Sequence, residues 1–234
     1  MNDFKQLNHI ASTKGLHLSC IKYPTNINIK KHHFWLFDIF IPKKFDSMAQ
    51  KRKRDYFFSR KCAKTLLMLM GCREHRIKLH NKADGQIMWP FGFIGSISHT
   101  QGCAMACIGL KNTTHYLGVD IERPMEQSVT TQIFALISHC SQADALQAYC
   151  SQLRLPANIV TTIIFSAKES FFKAIYPIDN RLFNFSDIKV VKITNKTVFL
   201  KLSIQGHSMH KHIIPVHYAI SEDFIYTVTF GMNH

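Results

Sequence analysis

The stretch 163–177, IIFSAKESFFKAIYP, constrains this chain more than any other. Ile164, Phe171, Phe172 and Ile175 mark one side at 3.6-residue spacing and predict an amphipathic helix. Glu169 and Lys173 stand four apart on it, so a carboxylate and an ammonium share a face, with Lys168 beside them. Alone, such a pair reads as an ordinary surface ion pair. A second acidic pair upstream, Asp120 and Glu122 in LGVDIE, gives it another meaning. Together the two segments suggest a metal-assisted site.

The upstream segment, 116–123, alternates as a strand does. Leu117, Val119 and Ile121 point one way, and Gly118, Asp120 and Glu122 point the other. Two carboxylates at i and i+2 on one face repel each other unless a cation lies between them. Oxygen-only ligands favour Mg²⁺, which keeps water and phosphate oxygens in its shell. The competing reading is a solvent-facing acidic edge.

A chain of 234 residues with 46% hydrophobic and 19% charged content is globular and long enough for one large domain or two small ones. Its 29 basic against 15 acidic residues give a net charge of +14, which attracts polyanions: nucleic acid, a phosphorylated cofactor, anionic lipid or an acidic protein. Seven cysteines (20, 62, 72, 103, 107, 140 and 150) form no CxxC pair, and Cys103 and Cys107 lie in an apolar run as core residues do. The opening MNDFKQLNHI has no apolar signal core, and no run reaches the length of a membrane span. A reducing, cytoplasmic setting is expected.

Residues 1–33 are weakly patterned, and the aromatic run 34–41 (FWLFDIFI) predicts a buried strand ended by Pro42. Residues 47–71 predict a helix whose stripe is Phe58, Cys62, Leu66, Leu69 and Met70, stopped by Gly71. Arg52 and Arg60, eight apart, can face one side of it, and their guanidinium forks suit phosphate. The loop 81–90 carries the turn signal Asp84-Gly85; strands follow at 91–99, ending in Ser98 and His99, and at 104–109. The glycine spacing matches neither a P-loop nor a dinucleotide fingerprint, so side chains must hold any phosphate. Residues 130–155 predict a helix with Leu136, Ile137, Leu146 and Leu153 as core contacts, broken by Pro156. Two hairpins close the chain: 188–193 with 198–204, and 213–220 with 224–230. His207, His210, His212 and His217 match no standard zinc spacing.

Three segments in order, WPFGFIGSISH (89–99), GVDIE (118–122) and FSAKESFFKA (165–174), resemble the 4′-phosphopantetheinyl transferases of the surfactin type, on the side of their enterobactin-synthase component D branch. The resemblance runs from about Lys51 to Pro177. It implies transfer of the phosphopantetheine arm of coenzyme A to a serine of an apo acyl, peptidyl or aryl carrier protein with an acidic recognition helix, releasing 3′,5′-ADP. It further implies siderophore, non-ribosomal peptide or polyketide synthesis as the setting. Asp120, Glu122 and Glu169 would hold Mg²⁺. Glu169 would be the base for the carrier serine, and Lys173 would stabilise the leaving phosphate with help from Lys168. Ser98 and His99 would contact coenzyme A phosphates, and Arg52 and Arg60 the nucleotide end. Members usually carry a basic residue before a proline ahead of the WP pair. NKADGQIMWP has no such proline, leaving Lys82 as the nearest substitute.

The expected architecture is an α+β pseudo-dimer of two similar subdomains, residues 1–117 gripping the nucleotide and 118–234 carrying the metal and catalytic residues, with the active site between them. A monomer is expected, with no nucleic-acid partner and no transmembrane segment. Two rivals remain: a Mg²⁺-dependent hydrolase of a nucleotide pyrophosphate, which would consume coenzyme A without a carrier, and a basic nucleic-acid-binding protein with steep salt dependence.

Overall fold

Alternation at every second residue builds the larger of two antiparallel sheets. β5 (Ile188–Ile193) buries Ile188, Val190 and Ile193, and β6 (Thr197–Leu202) buries Val198, Leu200 and Leu202. With β7 (Ile213–Ile220), β8 (Ile225–Met232) and β4 (Thr114–Glu122) they form a sheet of order β4-β8-β7-β6-β5. The smaller sheet has order β1-β3-β2, from His17–Lys22, Cys103–Leu110 and Phe93–Thr100. The computed structural model describes residues 2–73, 77, 79–139, 142 and 144–233, without the side chains of 2, 3 and 179.

Each sheet carries one long helix. α3 (Gln50–Leu69) sets Cys62, Ala63, Leu66 and Leu67 against Ala106 and Ile108 of β3. Gly71, at φ +73°, ends it in a conformation that a side chain would strain. Leu69, assigned to the core stripe from sequence, is exposed; Leu67 takes that place. α6 (Ala157–Asp179) buries Val160, Ile163, Ile164, Ala167, Phe171, Ala174 and Ile175 in the core of the large sheet. It is longer at both ends than 163–177. Pro156 caps its start, and Pro177 lies inside its last turn, which closes at Asn180 in the left-handed region.

Three local expectations need correction. The N-terminal 33 residues supply α1 (Asn2–Ser12), which packs Leu7 and Ala11 into the core, and strand β1. The aromatic run 34–41 is no strand: α2 (Lys31–Leu36) runs into it, followed by a turn with Asp38 at φ +46°. Phe34 alone of its first four residues is buried, whereas Trp35, Leu36 and Phe37 face outward. A dense apolar run has no period by which a strand can be told from a helix. Residues 130–155 form two short helices, α4 (Thr130–Ile137) and α5 (Leu146–Leu153), and Leu136 is exposed while Ile137 is buried. Cys140 and positions 141 and 143 of that prediction lie outside the described residues. Among the described residues, no helix is long and apolar enough to cross a membrane.

The sheets meet face to face. Leu16, Leu18, Cys103, Met105 and Cys107 pack against Leu117, Val119, Ile121, Tyr226 and Val228 in one apolar cluster. At the seam between β2 and β4, side chains replace a backbone ladder: the Val119 N–H donates to Ser96 Oγ at 3.1 Å, and Ser98 Oγ donates to Asp120 Oδ1 at 2.7 Å. The turn 111–113 joins β3 to β4, so residue 117 lies within β4. Gly118 lets α6 rest directly on β4, because a Cβ there would overlap the Ser170 carbonyl oxygen and crowd Ala174.

Candidate active site

Asp120 sits where strand and helix touch. It is 2% exposed, so the solvent-facing acidic edge does not describe it. Its Oδ1 accepts from Ser98 Oγ at 2.7 Å and from Lys173 Nζ at 2.7 Å, and its Oδ2 accepts from Ser166 Oγ at 2.8 Å. Register places Thr227 of β8 opposite Asp120, and Thr227 Oγ1 lies 2.9 Å from Ser166 Oγ. A buried carboxylate is tolerated when its lone pairs are filled in this way.

Glu169 and Lys173 share a face of α6, with Lys173 Nζ 4.0 Å from Glu169 Oε2. Burial pushes the Glu169 carboxyl above the usual range, and the Asp120 charge adds to the shift against the pull of Lys173. Burial, then the charges of Asp120 and Glu169, push Glu122 up to about 8. Three carboxyl groups thus crowd one ammonium. Among the described residues, no three His, Cys, Asp or Glu are gathered into a preformed metal cage, and Lys173 already supplies the cation to Asp120. The donor set is nevertheless one that a hard divalent ion fits: all oxygen, with Glu122 raised by burial and by neighbouring negative charge that a bound cation would offset.

The cationic half of the site comes from α3. Arg60 is buried; its guanidinium lies 4.0 Å over the Tyr56 ring and its Nη2 donates to Asn81 Oδ1 at 2.6 Å. Its buried Nε has no hydrogen-bond partner among the described residues. Arg52 is exposed, and its charge acts on both Arg60 and His99. Burial pushes His99 below its ordinary range; Asp55 opposes that shift, and Arg52, Lys173 and Arg60 add to it. The charges that reach His99 thus come from the two guanidinium groups and Asp55 of α3 and from Lys173 of α6.

A cleft of about 750 Å³ opens beside Lys173. Its walls include Trp89, Phe93, Ile94, Ile97, Phe172 and Tyr176. Lys82 lines its rim, where its Nζ lies 3.4 Å from Gln86 Oε1. The turn at Asp84-Gly85 is formed, and Gln86 Nε2 reaches across to Asn180 Oδ1 at the end of α6 at 3.0 Å.

Two residues read from sequence as phosphate contacts are engaged by protein groups. Lys168 is fully buried and donates to the carbonyl oxygens of Ile137, Phe185 and Ile188, tying α6 to α4 and β5. One step of about 100° along a helix separates neighbours, so Lys168 leaves the face that Glu169 and Lys173 occupy. Ser98 turns its hydroxyl to Asp120 and accepts from Lys173 Nζ at 3.0 Å, joining the acidic cluster. Sequence reasoning missed Ser166 and Ser170, although Ser166, Glu169, Ser170 and Lys173 make a polar stripe at i, i+3, i+4 and i+7 on an apolar helix. It also missed Asp55 and Thr227, which carry no local signal.

Two family models match the chain: the 4′-phosphopantetheinyl transferase N-terminal domain over residues 42–109, and the 4′-phosphopantetheinyl transferase superfamily over residues 116–229. Enterobactin synthase component D of Salmonella typhimurium is 32% identical over 157 residues, 67% of this chain and 62% of that protein. The same component of Salmonella typhi is 35% identical over 129 residues, 55% of this chain and 50% of that protein. The 4′-phosphopantetheinyl transferase PptT of Mycobacterium tuberculosis is 27% identical over 147 residues, 63% of this chain and 61% of that protein. The matched part of the chain thus spans between 50% and 62% of the length of these relatives. Both models fall on the geometry above, one on the helix that carries Arg52 and Arg60, the other on β4 and α6. The chain belongs to the 4′-phosphopantetheinyl transferase superfamily.

Proposed function

We propose that this chain transfers 4′-phosphopantetheine from coenzyme A to a serine of an apo carrier protein. The observation that carries the reading is the meeting of Asp120, Glu169 and Lys173 at the edge of an apolar-walled cleft, with Arg52, Arg60 and His99 to one side. A pyrophosphate substrate needs cations at the phosphates and a base for the incoming hydroxyl. The arm it carries needs an apolar channel, and the aromatic walls beside Lys173 supply one.

In the reaction, the serine oxygen bonds to the phosphorus that bears the pantetheine. The bond from that phosphorus to the bridging oxygen breaks, and 3′,5′-ADP leaves. Glu169, its carboxyl raised above the usual range by burial, takes the hydroxyl proton. Lys173 sets its ammonium against the departing oxygen, oriented by Asp120 and Ser98. Arg60, stacked on Tyr56 with Arg52 nearby, holds the nucleotide end. Asp120, Glu122 and Glu169 would hold Mg²⁺, which supplies charge neutralisation at the pyrophosphate. We place the division of labour at the turn 111–113, the nucleotide grip before it and the carboxylates after it. The names of the Salmonella relatives favour a siderophore carrier as substrate. The net charge of +14 suits an acidic carrier surface.

Intact mass of apo carrier proteins after incubation with this protein, coenzyme A and Mg²⁺ tests the reading. A phosphopantetheine-sized gain, lost with Glu169→Gln and with EDTA, is expected. No gain on siderophore, polyketide or fatty-acid carriers would overturn it, and coenzyme A consumed without a carrier would replace it with pyrophosphate hydrolysis.

A further inference from the structure

Asp55 is buried on α3 at 6% exposure, among aromatic rings, and the chemistry above does not use it. One of its oxygens is taken by a neighbour: the Tyr23 hydroxyl lies 2.7 Å from Asp55 Oδ1 and 3.2 Å from the Thr100 carbonyl oxygen. With a single proton to give, the phenol directs it along the shorter contact to the charged acceptor. Tyr23 is itself fixed, stacked on Phe58 with ring centres 4.2 Å apart and planes 3° from parallel. Burial and Asp55 push its phenol well above the usual range, so it stays a donor. The other carboxylate oxygen faces a ring nitrogen: His99 Nδ1 is 3.7 Å from Asp55 Oδ2.

We propose that Asp55, held by Tyr23, is a positioning residue that fixes the His99 imidazole with Nδ1 toward the carboxylate, so that Nε2, once protonated, donates to a phosphate oxygen. The inference rests on the reading of His99 as a coenzyme A contact. Its logic is that an imidazole has two nitrogens, and the partner of one decides what the other can do. The charges that act on His99 come from α3, in Asp55, Arg52 and Arg60, and from α6, in Lys173. Burial, and the three of these four that are cations, disfavour a second proton on the ring in the free protein. A phosphate arriving among them offsets their charge. Asp55 then stabilises the imidazolium, whose Nε2–H donates to the ligand. Asp55, the carboxylate that faces Nδ1, selects the Nδ1-protonated tautomer of the neutral ring.

The test is Asp55→Asn, with Tyr23→Phe as a milder second variant. The amide keeps the shape but offers an N–H to Nδ1, which turns the neutral ring to the opposite tautomer. Imidazole ¹⁵N spectra report this directly; with 14 histidines, a His99→Gln spectrum identifies the signal. Expected is an Nδ1-protonated His99 in the parent protein and an Nε2-protonated ring in Asp55→Asn. The KM for coenzyme A should rise by about tenfold while kcat stays within about threefold. In a His99→Ala background the same substitution should change KM by less than about twofold, because its route is gone. Tyr23→Phe should move KM in the same direction by less. An unchanged tautomer, or an undiminished effect without His99, would overturn the proposal. If no carrier accepts the group, coenzyme A affinity by calorimetry replaces KM, and the spectra judge the positioning independently of transfer.

Discussion

Lys173 Nζ lies 2.7 Å from Asp120 Oδ1, although the two residues are 53 apart in sequence. The contact joins the edge strand of the large sheet to the helix crossing it, and Ser98 of the other sheet closes the group from the opposite side. Asp120→Asn should therefore lower transfer by at least about a hundredfold, since it removes the charge that orients Lys173 and would hold a cation. Initial rates from carrier mass spectra check this. A rate within tenfold of the parent would remove Asp120 from the site.

Acid–base behaviour of the carboxyl cluster should appear in stability as well as rate. Glu122, raised from 4.5 to about 8, binds its proton more tightly folded than unfolded. Its contribution is complete below the unfolded pKa and is lost as pH rises through the folded one. Glu169 shifts in the same direction. A divalent ion competes with those protons, so the rise in Tm on adding Mg²⁺ should be larger near about pH 8.5 than near about pH 5.5. Melting curves at both pH values check the sign, and an equal or inverted response would contradict it.

Lys168 should behave as part of the scaffold. Lys168→Met leaves three carbonyl oxygens without their donor and should cost about 2–4 kcal/mol of stability. Denaturant unfolding gives the loss, and the protein that remains folded should bind coenzyme A with unchanged affinity. Weakened binding without lost stability would return Lys168 to the phosphate site.

Arg60→Ala should raise the KM for coenzyme A by about tenfold or more and leave kcat nearly unchanged, as expected for a group that binds the ligand away from the reacting bond. Steady-state kinetics at saturating carrier separate the two constants. A fall in kcat at unchanged KM would move Arg60 from ligand binding to the chemistry.

The pairing of these side chains was legible because strand alternation and helical spacing are properties of the chain itself: Asp120 and Glu122 on one strand face, Glu169 and Lys173 on one helix face. The partners that make Asp120 tolerable, Ser98, Ser166 and Thr227, come from three other elements, and no local pattern brings them together. Lys168 was misplaced for a related reason. Adjacency in sequence to Glu169 suggested a shared role, whereas the helix turns the two side chains to different sides. The aromatic run at 34–41 shows the other limit: apolar content without period fixes burial poorly, and Trp35 and Leu36 are exposed.

Gly118 sets a rule for variation at this crossing. Helix and strand meet there with no room for a methyl group, so the spacing between the carboxylate on β4 and the pair on α6 is fixed by an absent side chain. In a library randomised across β4, selection for function should return glycine alone at 118, while Leu117 and Val119 admit other apolar residues. The most invariant position of the reaction centre would then be one that bears no chemical group.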